Sequence, residues 1–182
     1  MDCSLGTYKL GEKKINGNLT INPKDPNKEI QITGPIWVRE NLVIESNSLI
    51  GLDKSITEVS QLVVVDGTIL SNAGVRFGFN QDPLDINKAA FLLFISTASS
   101  PMDVCDKDNY AVRLFSNTNS VLFYAVNGCV LVNANGTFQG AILGEKIRVV
   151  TNSVVAYDPR LQNAIFGLTK SGGWQTLSFR EE

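Results

Sequence analysis

The chain has 182 residues, 43% hydrophobic and 19% charged, a balance that suits a folded domain and excludes a disordered one. Its 16 basic and 18 acidic residues leave a net charge of -2, with no Lys/Arg cluster longer than Lys13-Lys14, so the concentrated positive charge that nucleic acid or an anionic membrane needs is missing. Histidine is absent, which removes Ser-His and Cys-His dyads, histidine general bases and most catalytic zinc sites.

The opening stretch from Lys14 to Ile21, KINGNLTI, sets an Asn-Gly corner between two short apolar segments. Apolar residues alternate within these segments, the period-two signature of strands with one buried face. Glycines follow at 17, 34, 51 and 67, and Ile15, Ile32 and Leu49 keep a step of seventeen, as do Leu19 with Ile36 and Ile21 with Val38. This spacing predicts coils of about 17 residues in an all-β, right-handed parallel β-solenoid, whose corners take Gly and Asn for their tolerance of positive φ. An antiparallel hairpin is the alternative reading of the opening stretch.

Further along, Val75 to Ser120 fits the repeat poorly and reads as an irregular insertion over 76–119 or as irregular coils on one continuous solenoid, with the apolar run Ala89 to Ile95 as a buried strand. A second array then sets Val130 against Ile147, Val132 against Val149, Phe138 against Val155, Tyr124 against Ala141 and Asn135 against Asn152 at the same step. Helical signals are confined to Asp85–Ala90 and Asp158–Ala164, where Asp158-Pro159 has the form of a cap followed by proline. The expected organisation is one domain over 1–182. Its coils occupy 8–75 and 120–158, and a C-terminal capping segment over 159–182 is anchored by Trp174, Leu177 and Phe179.

Cys3, Cys105 and Cys129 match no zinc spacing. Both one disulfide plus a free thiol and three buried thiols stay open. No run approaches the roughly 20 apolar residues that span a bilayer. Met1-Asp2-Cys3 opens the chain without a signal peptide, which leaves either a cytosolic protein or one whose export segment lies upstream.

The stretch FYAVNGCVLVNANGTFQGAILGEKI (123–147), followed by VVAYDPRL (154–161) and the late Gly173-Trp174, resembles pilus-associated β-solenoid domains of PilX-like minor pilins and related bacterial surface proteins. The repeats are also similar to those of bactofilins. The resemblance implies a non-enzymatic structural component of a cell-surface or type IV pilus-like assembly. Its partners would be other pilin-like subunits or further copies of itself. It also implies membrane attachment through an N-terminal hydrophobic helix, which this sequence lacks, and hence an extracellular location as part of a longer precursor.

Three other uses of such a fold call for particular residues. Hexapeptide-type acyl transfer needs a histidine base, which is absent. Polysaccharide cleavage would draw on Asp53, Asp66, Asp82, Asp85 and Asp158 with Arg76, Arg113 and Arg160, although turn or cap hydrogen bonding explains Asp66 and Asp158 as well. Glycan binding would use exposed aromatics, with Trp37, Tyr110, Tyr124 and Tyr157 as candidates. The acidic loops DPLD (82–85) and DVCDKD (103–108) offer oxygen ligands for calcium but match no calcium loop, and read as solvated loops. The sequence therefore assigns no catalytic, cofactor-binding or metal-ligating residue.

Overall fold

A computed structural model describes residues 8–22, 29–53, 59–78, 90–101, 104–115, 118–133, 135–150 and 152–163. Within them the chain is all-β, and every described strand pairing is parallel. Three strands are laid down per lap. The first lap contributes β1 (Tyr8–Leu10), β2 (Lys13–Ile15) and β3 (Leu19–Ile21), and the second β4 (Glu29–Ile32), β5 (Ile36–Val38) and β6 (Leu42–Ile44). The third contributes β7 (Leu49–Leu52), β8 (Gln61–Val65) and β9 (Ile69–Ser71), and the fourth β10 (Arg76–Gly78), β11 (Leu92–Ser99) and β12 (Val112–Leu114). Two long strands, β13 (Thr118–Val132) and β14 (Gly136–Val149), and the shorter β15 (Ser153–Tyr157) complete the array.

Strands of equal rank pair across laps into three strips. The first is β1-β4-β7-β10; the second begins β2-β5-β8-β11 and the third β3-β6-β9-β12. β13 joins the last two, its first half pairing with β11 and its second with β12. It turns that corner by a bulge: Ala125 pairs with Gly144 but Cys129 with Lys146, so four residue steps of β13 face two of β14. Extra residues on one strand bend it and raise its local twist. The Asn127-Gly128 dipeptide sits within this bulge. A hairpin at the opening is ruled out, since β2 pairs with β5 and β3 with β6.

The expected register needs correction in the first half. Ile15 lies beside Val38, not Ile32, and Leu19 beside Leu42, not Ile36. Ile21 lies beside Ile44, not Val38. The lap here is 23 residues, and successive strips begin six residues apart, as with Lys13 and Leu19. A step of seventeen therefore falls one strip short of a full lap, so it links inward positions on neighbouring strips. In the second half the lap shortens, and Val130–Ile147, Val132–Val149 and Phe138–Val155 do pair at seventeen, whereas Tyr124 pairs with Leu143 instead of Ala141.

Residues 76–119 supply β10, β11 and β12, all in register with neighbouring laps, so they are coils of the stack rather than an insertion. β10 reads Arg76-Phe77-Gly78 and carries one large apolar residue, so its sequence shows no period of two.

Inward positions stack into ladders such as Ile36–Val63–Phe94–Phe123–Ile142 and Leu42–Ile69–Val112–Val130–Ile147. These build one main core. At its centre Phe94 and Phe123 stack with centroids 5.0 Å apart, Phe77 meets both edge-on, and Phe138 leans on Phe123 at 6.1 Å.

The corner between the second and third strips carries an amide ladder. Asn18 Oδ1 accepts from Asn41 N and Nδ2, and Asn41 Oδ1 accepts from the Thr68 amide and hydroxyl, all at 2.9–3.1 Å. Each such bond adds on the order of 1 kcal/mol net. Gly67 is needed beside it because a Cβ there would stand 2.7 Å from the Glu40 carbonyl oxygen. Asn135 and Asn152 lie at the start of the β14–β15 pairing, where Asn152 O accepts from Gly136 N.

The expected helical turn at Asp158–Ala164 is a 3-10 helix, η1 (Pro159–Asn163). Asp158 caps it, its Oδ1 accepting from Arg160 N at 3.1 Å. The other helical candidate, Asp85–Ala90, and the anchors Trp174, Leu177 and Phe179 lie outside the described residues, apart from Ala90.

Candidate functional site

Period-two alternation in β5 turns Ile36 and Val38 into the core and Trp37 and Arg39 outward. Register then carries Trp37 between Lys14 and Val64 and brings Asp66 alongside Arg39. The indole Nε1 donates to Asp66 Oδ1 at 2.9 Å, while Arg39 Nε lies 3.2 Å from Asp66 Oδ2. With one partner on each oxygen, Asp66 fixes the ring's orientation. Lys14 Nζ sits 4.2 Å from the ring centroid and the Arg39 guanidinium 5.7 Å from it. Such contacts at exposed sites contribute about 0.5–1 kcal/mol.

The ring remains 42% exposed and walls a groove of about 480 Å³ whose other sides are Glu12, Lys13, Pro35, Leu62 and Val64. The outward row continues from Trp37 through Val64, Ile95 and Tyr124 to Leu143. Two of the four candidate aromatics, Trp37 and Tyr124, thus share one face. Tyr157 is exposed on β15, and Tyr110 packs beside Cys105, Cys129 and Leu131 on the third strip.

Among the described residues, the charged candidates for polysaccharide cleavage do not converge on one groove. Asp53 pairs with Lys9, Asp66 with Arg39 and Asp158 with Arg160. Asp158 behaves as the cap reading has it, whereas Asp66 orients an indole rather than a turn. Arg76 lines a separate depression of about 730 Å³ with Asn47, Phe115 and Asn133. Arg113 stacks on Phe115 at 4.3 Å and donates from Nη1 to Lys107 O. Asp82 and Asp85 lie outside the described residues. Lys14 and Arg39 were missed as site residues. The alternation Trp37-Val38-Arg39 signals Arg39, but Lys14 and Asp66 join only through cross-strand register.

The connection after β11 is fastened over the third strip. Cys105 and Cys129 form a disulfide with Cα atoms 5.7 Å apart, one of the arrangements the spacing left open. Arg148 Nη1 donates to Cys105 O at 2.8 Å. Asp106 Oδ1 accepts from the amides of Asp108 and Asn109 and from Asn109 Nδ2, all within 3.0 Å. The Asp108 amide and the Asn109 side chain hold the Asp106 carboxyl below the ordinary aspartate value of 3.8, because these donors favour its charged form.

A depressed folded pKa contributes stability above the unfolded value and loses it as pH falls through the folded value. The Asp106 carboxyl is therefore expected to titrate below 3.8 in a carbon-detected NMR titration. The Asp108 and Asn109 amides should lose exchange protection over the same acid range. Asp106→Ala should abolish that protection at every pH.

Among the described residues no helix is long and apolar enough to cross a membrane. The fold and this surface define an all-β protein of parallel strands with an aromatic, charge-flanked groove on one flank. No family model matches the chain, and no curated protein or solved structure matches it either.

Proposed function

We propose that the chain is a single right-handed parallel β-solenoid and serves as a non-enzymatic structural component of a bacterial cell-surface, pilus-like assembly. The observation that carries this reading is the in-register return of each strand rank to its own strip, lap after lap, around one core. A body built this way is stiff along its stacking axis, since each rung contacts its neighbours through continuous backbone ladders. The Cys105–Cys129 disulfide supports a location outside the reducing cytosol. The type IV pilus connection rests on the sequence resemblance.

Immunogold labelling of intact source cells and of their sheared surface fraction tests the assembly role. Label on both supports it. Confinement to the cytosol, with both cysteines reduced, overturns it. New reducing ends or unsaturated products after incubation with acidic polysaccharides would overturn the non-enzymatic part.

A second reading, a glycan-binding flank, is favoured by one observation: Lys14, Arg39 and Asp66 surround an exposed indole beside a groove. Aromatic faces stack on the C–H faces of sugars, and the charged groups could supply hydrogen bonds. Affinity electrophoresis separates the two readings. Retardation by an acidic polysaccharide that Trp37→Ala weakens at least tenfold belongs to the second; unretarded migration belongs to the first.

A further inference from the structure

The depression beside Arg76 is built by the connections that leave the third strip. Asn47 follows β6, Gly74 follows β9, Phe115 follows β12 and Asn133 follows β13, while Arg76 opens β10. Stacking of the laps thus gathers into one wall residues that lie far apart in the chain. Asn47 has a positive φ of 63° and Gly74 one of 74°, and Asn47 N donates to Ala73 O at 3.2 Å. A Cβ on Gly74 would stand 2.5 Å from Asn47 Oδ1, so glycine at this position leaves the Asn47 amide its place. Arg113 is not part of the wall. It stacks on Phe115, 4.3 Å from the ring centroid, and limits that ring's freedom.

The lining decides which chemistry fits. Among the described residues Arg76 is the single charged group in the depression, exposed and with no ion pair or side-chain hydrogen bond. No described carboxylate stands there to hold a cation. A guanidinium presents paired N–H donors that match the two oxygens of a carboxylate. Its one positive charge also balances a carboxylate more closely than the nearly double charge of a phosphate group. Each asparagine amide offers both a donor and an acceptor, which suits hydroxyl groups, and Phe115 adds apolar surface for sugar C–H groups. The volume of about 730 Å³ lies within the range of small-molecule sites. We propose that this depression binds a short acidic oligosaccharide. Arg76 takes the carboxylate of a uronate residue, and Asn47, Asn133 and Phe115 meet the adjoining neutral sugar. The site is separate from the Trp37 groove, and the inference goes beyond the structural role proposed above without depending on it.

The test is an amide NMR titration of the full chain at fixed ionic strength. The probes are disaccharides of one uronate and one neutral sugar, in glucuronate and galacturonate forms. Saturable shifts are expected at Gly74, at Arg76 and at the side-chain amides of Asn47 and Asn133 with at least one of the two. The carboxyl-reduced form of that disaccharide should bind about tenfold more weakly or worse, because it forfeits a charge-assisted pair. Arg76→Gln should weaken binding by a similar factor and Arg76→Lys by less. Trp37→Ala should leave it unchanged, which separates this site from the Trp37 groove. The amide spectrum also shows whether each variant is folded, and the carboxyl-reduced comparison decides the point if Arg76→Gln is not. The proposal is overturned if neither disaccharide shifts these residues, or if the carboxyl-reduced form binds equally well. It is also overturned if folded Arg76→Gln binds like the wild type, or if acetate at the same concentration gives the same shifts, the mark of a site for any small anion.

Discussion

Phe123→Ala is expected to lower the unfolding free energy by about 4 kcal/mol, near the middle of the range for deleting a buried phenyl ring. Phe123 is fully buried and touches three other rings, stacking on Phe94, meeting Phe77 edge-on and supporting Phe138. Those rings come from β10, β11 and β14, so no one of them can fill the void without breaking a backbone ladder. The cost should therefore include most of the cavity contribution as well as the lost transfer free energy. For a chain of this size the loss corresponds to a fall of about 8–16 °C in Tm. Urea denaturation with an unchanged m-value would read it directly. The matched control is Val154→Ala, on a side chain 55% exposed at the end of the stack, where a change within about 0.5 kcal/mol is expected. A loss below about 1 kcal/mol at Phe123 would mean that the four rings do not form the centre of the core.

The all-β class was legible because alternation is a local property. Ile36-Trp37-Val38 already announces two inward side chains and one outward, whatever lies beside them. Most corners were legible for the same reason: Asn16-Gly17, Asp66-Gly67 and Asn127-Gly128 fall where the chain changes strip, whereas Gly51, read as a corner with them, lies inside β7. Lap length was not legible, because it belongs to the pairing rather than to the sequence. Ile15 and Ile32 both supply apolar positions to the stack, so a step between neighbouring strips imitates a step between laps. Only where the connections shrink, as between Val130 and Ile147, do the apparent and the true period coincide.

The same distinction governs the candidate site. Trp37 could be named from the chain because an outward aromatic in a short alternating strand is visible in five residues. Asp66 could be connected with it only through the β5–β8 register, across 29 residues. Arg39 was visible as outward, but its significance depends on Asp66. Surface geometry in a stack of this kind is thus a product of lap length: one residue added to the connection between β5 and β8, if absorbed as a register slip, would turn Val64 inward. Connections can nevertheless lengthen without harm when the strands keep register. The lap from Ile69 to Val112 takes 43 residues and still delivers β12 beside β9.

Removing the Cys105–Cys129 disulfide is the second change expected to have a large effect. The bridge closes a loop with a sequence separation of 24, and chain-entropy arithmetic for a loop of that size gives about 3.5 kcal/mol at 25 °C. The native-state side of the account favours a value near this estimate. Cys129 sits in β13 at its corner, Cys105 is buried against it, and the Cα separation of 5.7 Å is within the ordinary range for a cystine. The Arg148–Cys105 and Asp106 hydrogen bonds hold the connection independently of the bridge. Substituting both cysteines with serine should therefore loosen the unfolded chain more than it disturbs the folded one. Expected results are a fall of about 3.5 kcal/mol in unfolding free energy, little change in the folded-state circular dichroism, and a larger m-value as the unfolded ensemble expands. Thiol titration of the unfolded wild-type chain should find only Cys3 free. If Cys105 and Cys129 also react, the bridge is absent and the argument for an oxidising location goes with it.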